Sequence, residues 1–184
     1  MRKNLKVRIG GSESLGIIRE TNGNLKGMLQ GWTDEPLNRK GCELARITGK
    51  CLANISFDIA ISSPLARAYE TREIVLRENE NHPPSIEVDD CLKEINFGTW
   101  ENLGISKSNF EIPDKNFNLF YTDPFLLEKS YDGESVYDVC RRTEEFYQEI
   151  ITAPEYQDKN ILLTTHGFTL RCLLRQIYED KSDF

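Results

Sequence analysis

Short runs of β-forming residues, separated by longer stretches with helical periodicity, set the tightest limit on what this chain can fold into. Residues 15–19, 57–62, 85–89 and 160–165 read as strands, the third alternating like a half-exposed strand and the fourth buried throughout. Helical patterns fill the intervals. Asn38 caps a helix whose apolar stripe is Leu44, Ile47, Cys51, Leu52 and Ile55. Ser63-Pro64 reads as an N-cap followed by proline at the first helical position, opening a segment that runs to about Glu78. A third helix starts at Asp132-Gly-Glu-Ser, with Val136, Val139, Cys140, Phe146, Tyr147, Ile150 and Ile151 on one face, and a fourth covers 168–178. This alternation predicts an α/β fold: a three-layer sandwich whose central sheet is mostly parallel and covered on both faces. Residues 96–129 show no clear period and read as an insertion or lid.

At 184 residues the chain suits one domain, 1–184, with 1–14 read as an extension. Hydrophobic residues at 39% and charged residues at 29% exclude a disordered tail. A net charge of −7 argues against nonspecific nucleic-acid binding. No apolar run approaches the ~20 residues of a membrane span. The basic start, Met1 to Lys6, has no apolar stretch after it, so no signal peptide is expected. Cys42, Cys51, Cys91, Cys140 and Cys172 form no Cys-x-x-Cys pair, and reduced thiols in a cytoplasmic protein are expected. With only His82 and His166 available, neither a zinc site nor any other metal site is expected.

In open α/β sheets, ligands bind beyond the carboxyl ends of the strands. Arg19 ends the first strand, Arg67 follows the second, Glu94 comes soon after the third, and His166-Gly167 directly follows the fourth. Taken singly, a solvated arginine or a structural histidine is the ordinary reading. Two arginines, a carboxylate and a histidine converging on one sheet edge point instead to an anion pocket, because guanidinium forks and helix N-termini match phosphate oxygens.

The same residues carry a family resemblance. Thr21-Asn-Gly-Asn24, the stretch from Gly27 through Gln30-Gly-Trp-Thr-Asp-Glu-Pro-Leu37, Ser62-Ser-Pro-Leu-Ala-Arg-Ala68 with Thr71, Leu92-Lys-Glu-Ile-Asn-Phe-Gly98 with Trp100-Glu101, Gly133-Glu-Ser135 with Asp138, and Thr165-His-Gly167 follow in order. Together they resemble the histidine phosphatase superfamily, in its phosphoglycerate mutase-like branch. The resemblance implies a phosphomonoester substrate, a small phosphorylated metabolite, and no metal or other cofactor. It assigns phosphate binding to Arg19, Asn24, Arg67 and Gly167, the general acid to Glu94, and the oxyanion partner to His166. A raised pKa at Glu94, through burial or a neighbour such as Glu101, would suit that role.

One departure stands out. In the family the first strand ends in Arg-His-Gly-Glu-Thr, whose histidine takes up the phosphoryl group, whereas this chain reads Ile17-Ile-Arg-Glu-Thr21. An alternative alignment puts Arg8-Ile9-Gly10 in that motif, although only the first keeps the spacing to Asn24 and Gln30. The nucleophile is absent on either alignment. The chain also stops at Asp183-Phe184, where the family continues into a further strand. Three functions follow as expectations: a working phosphatase or mutase, a phosphate-ester-binding pseudo-enzyme, or a scaffold. Weak or absent turnover is the favoured one.

Overall fold

A computed structural model describes residues 20–81 and 85–177. Arg8, Arg19, His82, Tyr178 and the strand expected at 15–19 lie outside the described residues. Along the chain come α1 (Asn22–Leu25), α2 (Arg39–Cys51), β1 (Ile59–Ser62), α3 (Ala66–Arg77), β2 (Ser85–Val88), β3 (Ile105–Ser106), β4 (Asn109–Phe110), α4 (Leu119–Thr122), α5 (Val136–Thr152), β5 (Ile161–Thr164) and α6 (Gly167–Ile177), with short 3-10 turns between several of them.

The central sheet has the order β2-β1-β5, and both pairings are parallel. Ile59 lies beside Ser85 and Ile161, and Ser62 beside Val88 and Thr164. Because side chains alternate along a strand, the register sorts them into two faces. Ile59, Ile61 and Ile161 pack against Phe146 and Ile150 of α5 and Leu173 of α6. Ala60 and Leu162 pack on the other side against Val75 and Leu76 of α3. Helices therefore cover both faces, giving the expected three-layer α/β sandwich with a parallel sheet.

Residues 96–129 are largely exposed but send a few side chains into the core. Trp100, Ile112 and Phe117 are buried in one cluster with Leu29, Val136, Val139, Phe168 and Cys172. An isolated antiparallel bridge joins Met28 to Gly104, and Leu29 N donates to Leu103 O at 2.8 Å. The segment also holds the β3–β4 hairpin.

Two local expectations change. Asn38 does cap α2, its side-chain oxygen accepting from Gly41 N at 2.9 Å. The buried face of α2, however, is Gly41, Ala45 and Gly49, while Leu44 and Ile47 are 40% and 50% exposed and Cys51 is exposed too. Close backbone approach explains the reversal: a Cβ on Gly49 would sit 2.8 Å from Glu78 Cβ and 2.9 Å from Val75 O. Only small residues fit that seam with α3, so the larger apolar ones turn outward. Leu52 and Ile55 still reach the core beside Phe57.

The second change is at α3, which starts at Ala66 and not at Pro64, with Leu65 as an N-cap that makes no side-chain bond. The cap comes from far along the chain, since Asp34 Oδ1 accepts from Ala66 N at 2.6 Å. Ser63 Oγ is committed elsewhere, to Leu65 N and to His166. β2 is half-exposed as its alternation suggests, with Ile86 and Val88 on the outward side at 53% and 50% exposure.

The α2–α3 seam reverses an ordinary rule. Alanine stabilises an exposed helix by about 1 kcal/mol relative to glycine, but Gly49→Ala should lower stability by about 1–3 kcal/mol through overpacking. Thermal denaturation of the variant beside the parent reads the sign directly.

Candidate active site

The candidate residues gather where β1 and β5 end. His166 is 2% exposed, and its Nε2 lies 2.8 Å from Ser63 Oγ at the end of β1. Gly167 opens α6 immediately after it. Arg67 is 4% exposed in the first turn of α3, and it reaches away from that helix. Its two terminal nitrogens donate to Thr33 O at 2.8 Å and to Gly31 O at 2.7 Å. Burial pushes the Arg67 guanidinium below its ordinary range, and the negative charges of Glu94, Glu101, Asp34 and Glu35 oppose that shift.

Glu94 is 8% exposed and works as an anchor for α6. One carboxylate oxygen accepts from Ile95 N at 3.0 Å and Thr169 N at 3.1 Å, and the other accepts from Phe168 N at 3.3 Å. The first N–H groups of a helix have no intrahelical partner, so a carboxylate is favoured there. The backbone behind Glu94 is equally constrained. The carbonyl of Cys91 accepts from Arg142, that of Leu92 from Thr165 Oγ1, that of Lys93 from Thr169 Oγ1, and that of Glu94 from both Trp32 Nε1 and Arg142. Arg142 is itself paired with Glu134 at 2.9 Å.

A second carboxylate shapes the loop that holds Arg67. Glu101 accepts from Gly31 N at 3.0 Å, Trp32 N at 2.8 Å, Thr33 N at 3.1 Å, Thr33 Oγ1 at 2.6 Å and Phe97 N at 3.0 Å. Gly31 is required by closeness, because a Cβ there would lie 2.1 Å from Ile95 O. Glu101 is thus turned toward the 31–33 backbone. Lys93 Nζ lies 4.7 Å over the Trp32 ring, placing a cation and an indole side by side next to Glu94.

Arg67, Glu94, His166 and Gly167 therefore come together around the carboxyl ends of β1 and β5. Asn24 is exposed, and its Oδ1 accepts from Thr21 N and Thr21 Oγ1, both at 3.1 Å, in a capping box for α1. No hydrogen bond of Asn24 reaches the Arg67 group among the described residues. Arg19 is not among them. Sequence reasoning missed the roles of Arg142, Trp32 and Thr169 as anchors of the Glu94 backbone. Only a pattern of contacts 48 to 76 residues apart reveals them, and no local spacing signals those.

Known proteins are similar to this chain in sequence and in fold. The family model of the histidine phosphatase superfamily (branch 1) matches residues 19–183. A 2,3-bisphosphoglycerate-dependent phosphoglycerate mutase of Cytophaga hutchinsonii is 33% identical over 164 residues, covering 88% of this chain and 75% of the mutase. The uncharacterized phosphatase PhoE of Bacillus subtilis is 32% identical over 159 residues, covering 86% of this chain and 72% of its own length. Among solved structures, Bacillus stearothermophilus YhfR is similar with a TM-score of 0.74 at 32% identity, over 85% of this chain and 74% of that one.

The Glu101 clasp makes a clear expectation. Glu101→Gln keeps the volume but replaces one acceptor oxygen by an NH2 group that faces backbone donors. Stability should fall by about 2–4 kcal/mol, since several N–H groups lose a charged acceptor. A chemical-denaturation midpoint measures the loss, and an unchanged midpoint would show that the 31–33 loop holds its shape without Glu101.

Proposed function

The chain belongs to the histidine phosphatase superfamily, and on that premise we propose that it binds phosphomonoesters of small metabolites while turning them over weakly or not at all. The observation that carries the reading is the buried Arg67 beside Glu94 and His166 at the ends of two parallel strands. A guanidinium held by two backbone carbonyls still presents N–H donors in a fixed plane, the arrangement that matches phosphate oxygens. In this reading Arg67 takes the phosphate together with Arg19, Asn24 and the backbone N–H of Gly167. His166 stabilises the equatorial oxygens, with Ser63 fixing its ring. The named relatives, a mutase and a phosphatase, share phosphomonoester chemistry, which is why the substrate class is drawn no more narrowly.

Two features support low turnover. The sequence at 17–21 is Ile-Ile-Arg-Glu-Thr, so no histidine follows the arginine to accept the phosphoryl group. Attack by water on a clamped phosphate must then proceed as one difficult step, without a covalent intermediate. Glu94, cast as the acid that protonates the leaving oxygen, has both oxygens engaged by backbone N–H groups. No helix among the described residues is long and apolar enough to cross a membrane. A cytoplasmic location belongs to the same proposal and rests on the five cysteines, all of them free thiols.

Calorimetry with inorganic phosphate or vanadate, alongside phosphomonoesterase assays, tests the reading. Binding should be measurable and should weaken tenfold or more in Arg67→Ala. Turnover should lie about 10³-fold or more below an ordinary rate of ~10 s⁻¹. Inserting His-Gly between Arg19 and Glu20 should raise turnover by orders of magnitude and yield an acid-labile phosphohistidine. Ordinary turnover by the parent chain, abolished in His166→Ala, would overturn the low-activity reading. Absence of anion binding in a folded protein would overturn the pocket itself.

A further inference from the structure

We propose that Trp32 is a positioning residue coupling the grip of Arg67 on a phosphate to the placement of Glu94, an inference that rests on the phosphate-binding reading. Trp32 stands between the two residues whose carbonyls hold Arg67. Gly31 O accepts from one terminal nitrogen of the guanidinium at 2.7 Å, and Thr33 O accepts from the other at 2.8 Å. The indole crosses to the opposite half of the pocket, where its Nε1 donates to Glu94 O at 2.8 Å. One residue thus joins the loop behind the arginine to the backbone of the carboxylate.

The ring is fixed at its face as well as at its N–H. Lys93 Nζ lies 4.7 Å from the indole centroid, and Asp90 holds that ammonium at 2.9 Å. Arg142 donates to the same Glu94 carbonyl from α5 at 3.1 Å. Burial does not account for Trp32. It is 42% exposed and joins none of the core clusters, whereas Trp100, the other tryptophan of the chain, is 8% exposed inside one. An indole left this open adds little core burial, so what it supplies is a directed N–H.

The path continues past Glu94, whose carboxylate accepts from Phe168 N and Thr169 N in the first turn of α6. Hydrogen bonds in a chain polarise one another. A phosphate drawing on the Arg67 guanidinium alters its bonds to Gly31 and Thr33. Glu101 grips the N–H groups of both residues and of Trp32, so the 31–33 backbone responds as a unit. The indole carries that response to Glu94 and from there to the helix start that holds Gly167.

Proton–nitrogen NMR of the full chain, titrated with inorganic phosphate, tests the coupling, because two tryptophans give two indole N–H signals. Trp32→Phe or Trp100→Phe tells the two apart. The Trp32 signal should move along the same saturation curve that calorimetry gives for phosphate, and the Trp100 signal should move much less. Trp32→Phe keeps a ring beside Lys93 but has no N–H for Glu94 O. Its phosphate affinity should fall about 3- to 10-fold, as expected for one hydrogen bond. Phosphate binding that leaves the Trp32 signal in place, or that is as tight in folded Trp32→Phe as in the parent, overturns the coupling and leaves the pocket standing. A folded parent that binds no phosphate overturns the pocket reading, and the coupling with it.

Discussion

Glu101 accepts hydrogen bonds from the backbone of Gly31, Trp32, Thr33 and Phe97, and the loop it gathers supplies the two carbonyls that hold Arg67. The rest of the site depends on that one clasp. A guanidinium buried to 4% exposure needs acceptors in a fixed plane, and a free loop would not provide them. Glu94 repeats the device against α6, using backbone donors of Phe168 and Thr169 that the helix leaves unpaired. Glu94, which sequence inspection casts as the acid, and Glu101, read there only as its neighbour, thus both act as fasteners, one on a helix start and the other on a loop.

The layered architecture was legible because its signals are local. Strand residues 59–62 and 161–164 are apolar nearly throughout, and α5 carries its buried residues at helical spacing from Val136 to Ile150. Asp132-Gly-Glu-Ser marks the start of α5, where the structure forms a capping box between Ser135 and Asp138. The buried face of α2 was not legible, since Leu44 and Ile47 give the stronger periodic signal while Gly41 and Gly49 decide the packing. Periodicity weighs hydrophobicity, whereas the α2–α3 seam is set by how closely two backbones approach. The start of α3 was misplaced for a related reason, because its capping carboxylate belongs to Asp34, 32 residues earlier.

In the candidate site, Arg67, Glu94 and His166 were recognisable from strand ends and motif order, and all three are buried together. Their supports were not. Arg142 lies within α5, a helix that pattern reading treats only as a core packer, yet its guanidinium binds two carbonyls of the 91–94 turn. Ser63 reads as an ordinary helix cap, and its pairing with His166, 103 residues away, comes only from the parallel register that sets β1 beside β5.

The 91–94 turn has a kinetic consequence. Its four consecutive carbonyls are bound by side chains 48 to 76 residues away in sequence, from Trp32 on one side and from Arg142, Thr165 and Thr169 on the other. Contacts of such span form only after the intervening loops have closed, and their entropy is lost before any bond repays it. The β1–β5 pairing beside it closes a longer loop still, Ile59 lying against Ile161, so the turn and the strand ends it adjoins share the same loop-closure cost. A fragment that omits either flank lacks side chains that bind the turn, Trp32 on one side or Arg142, Thr165 and Thr169 on the other.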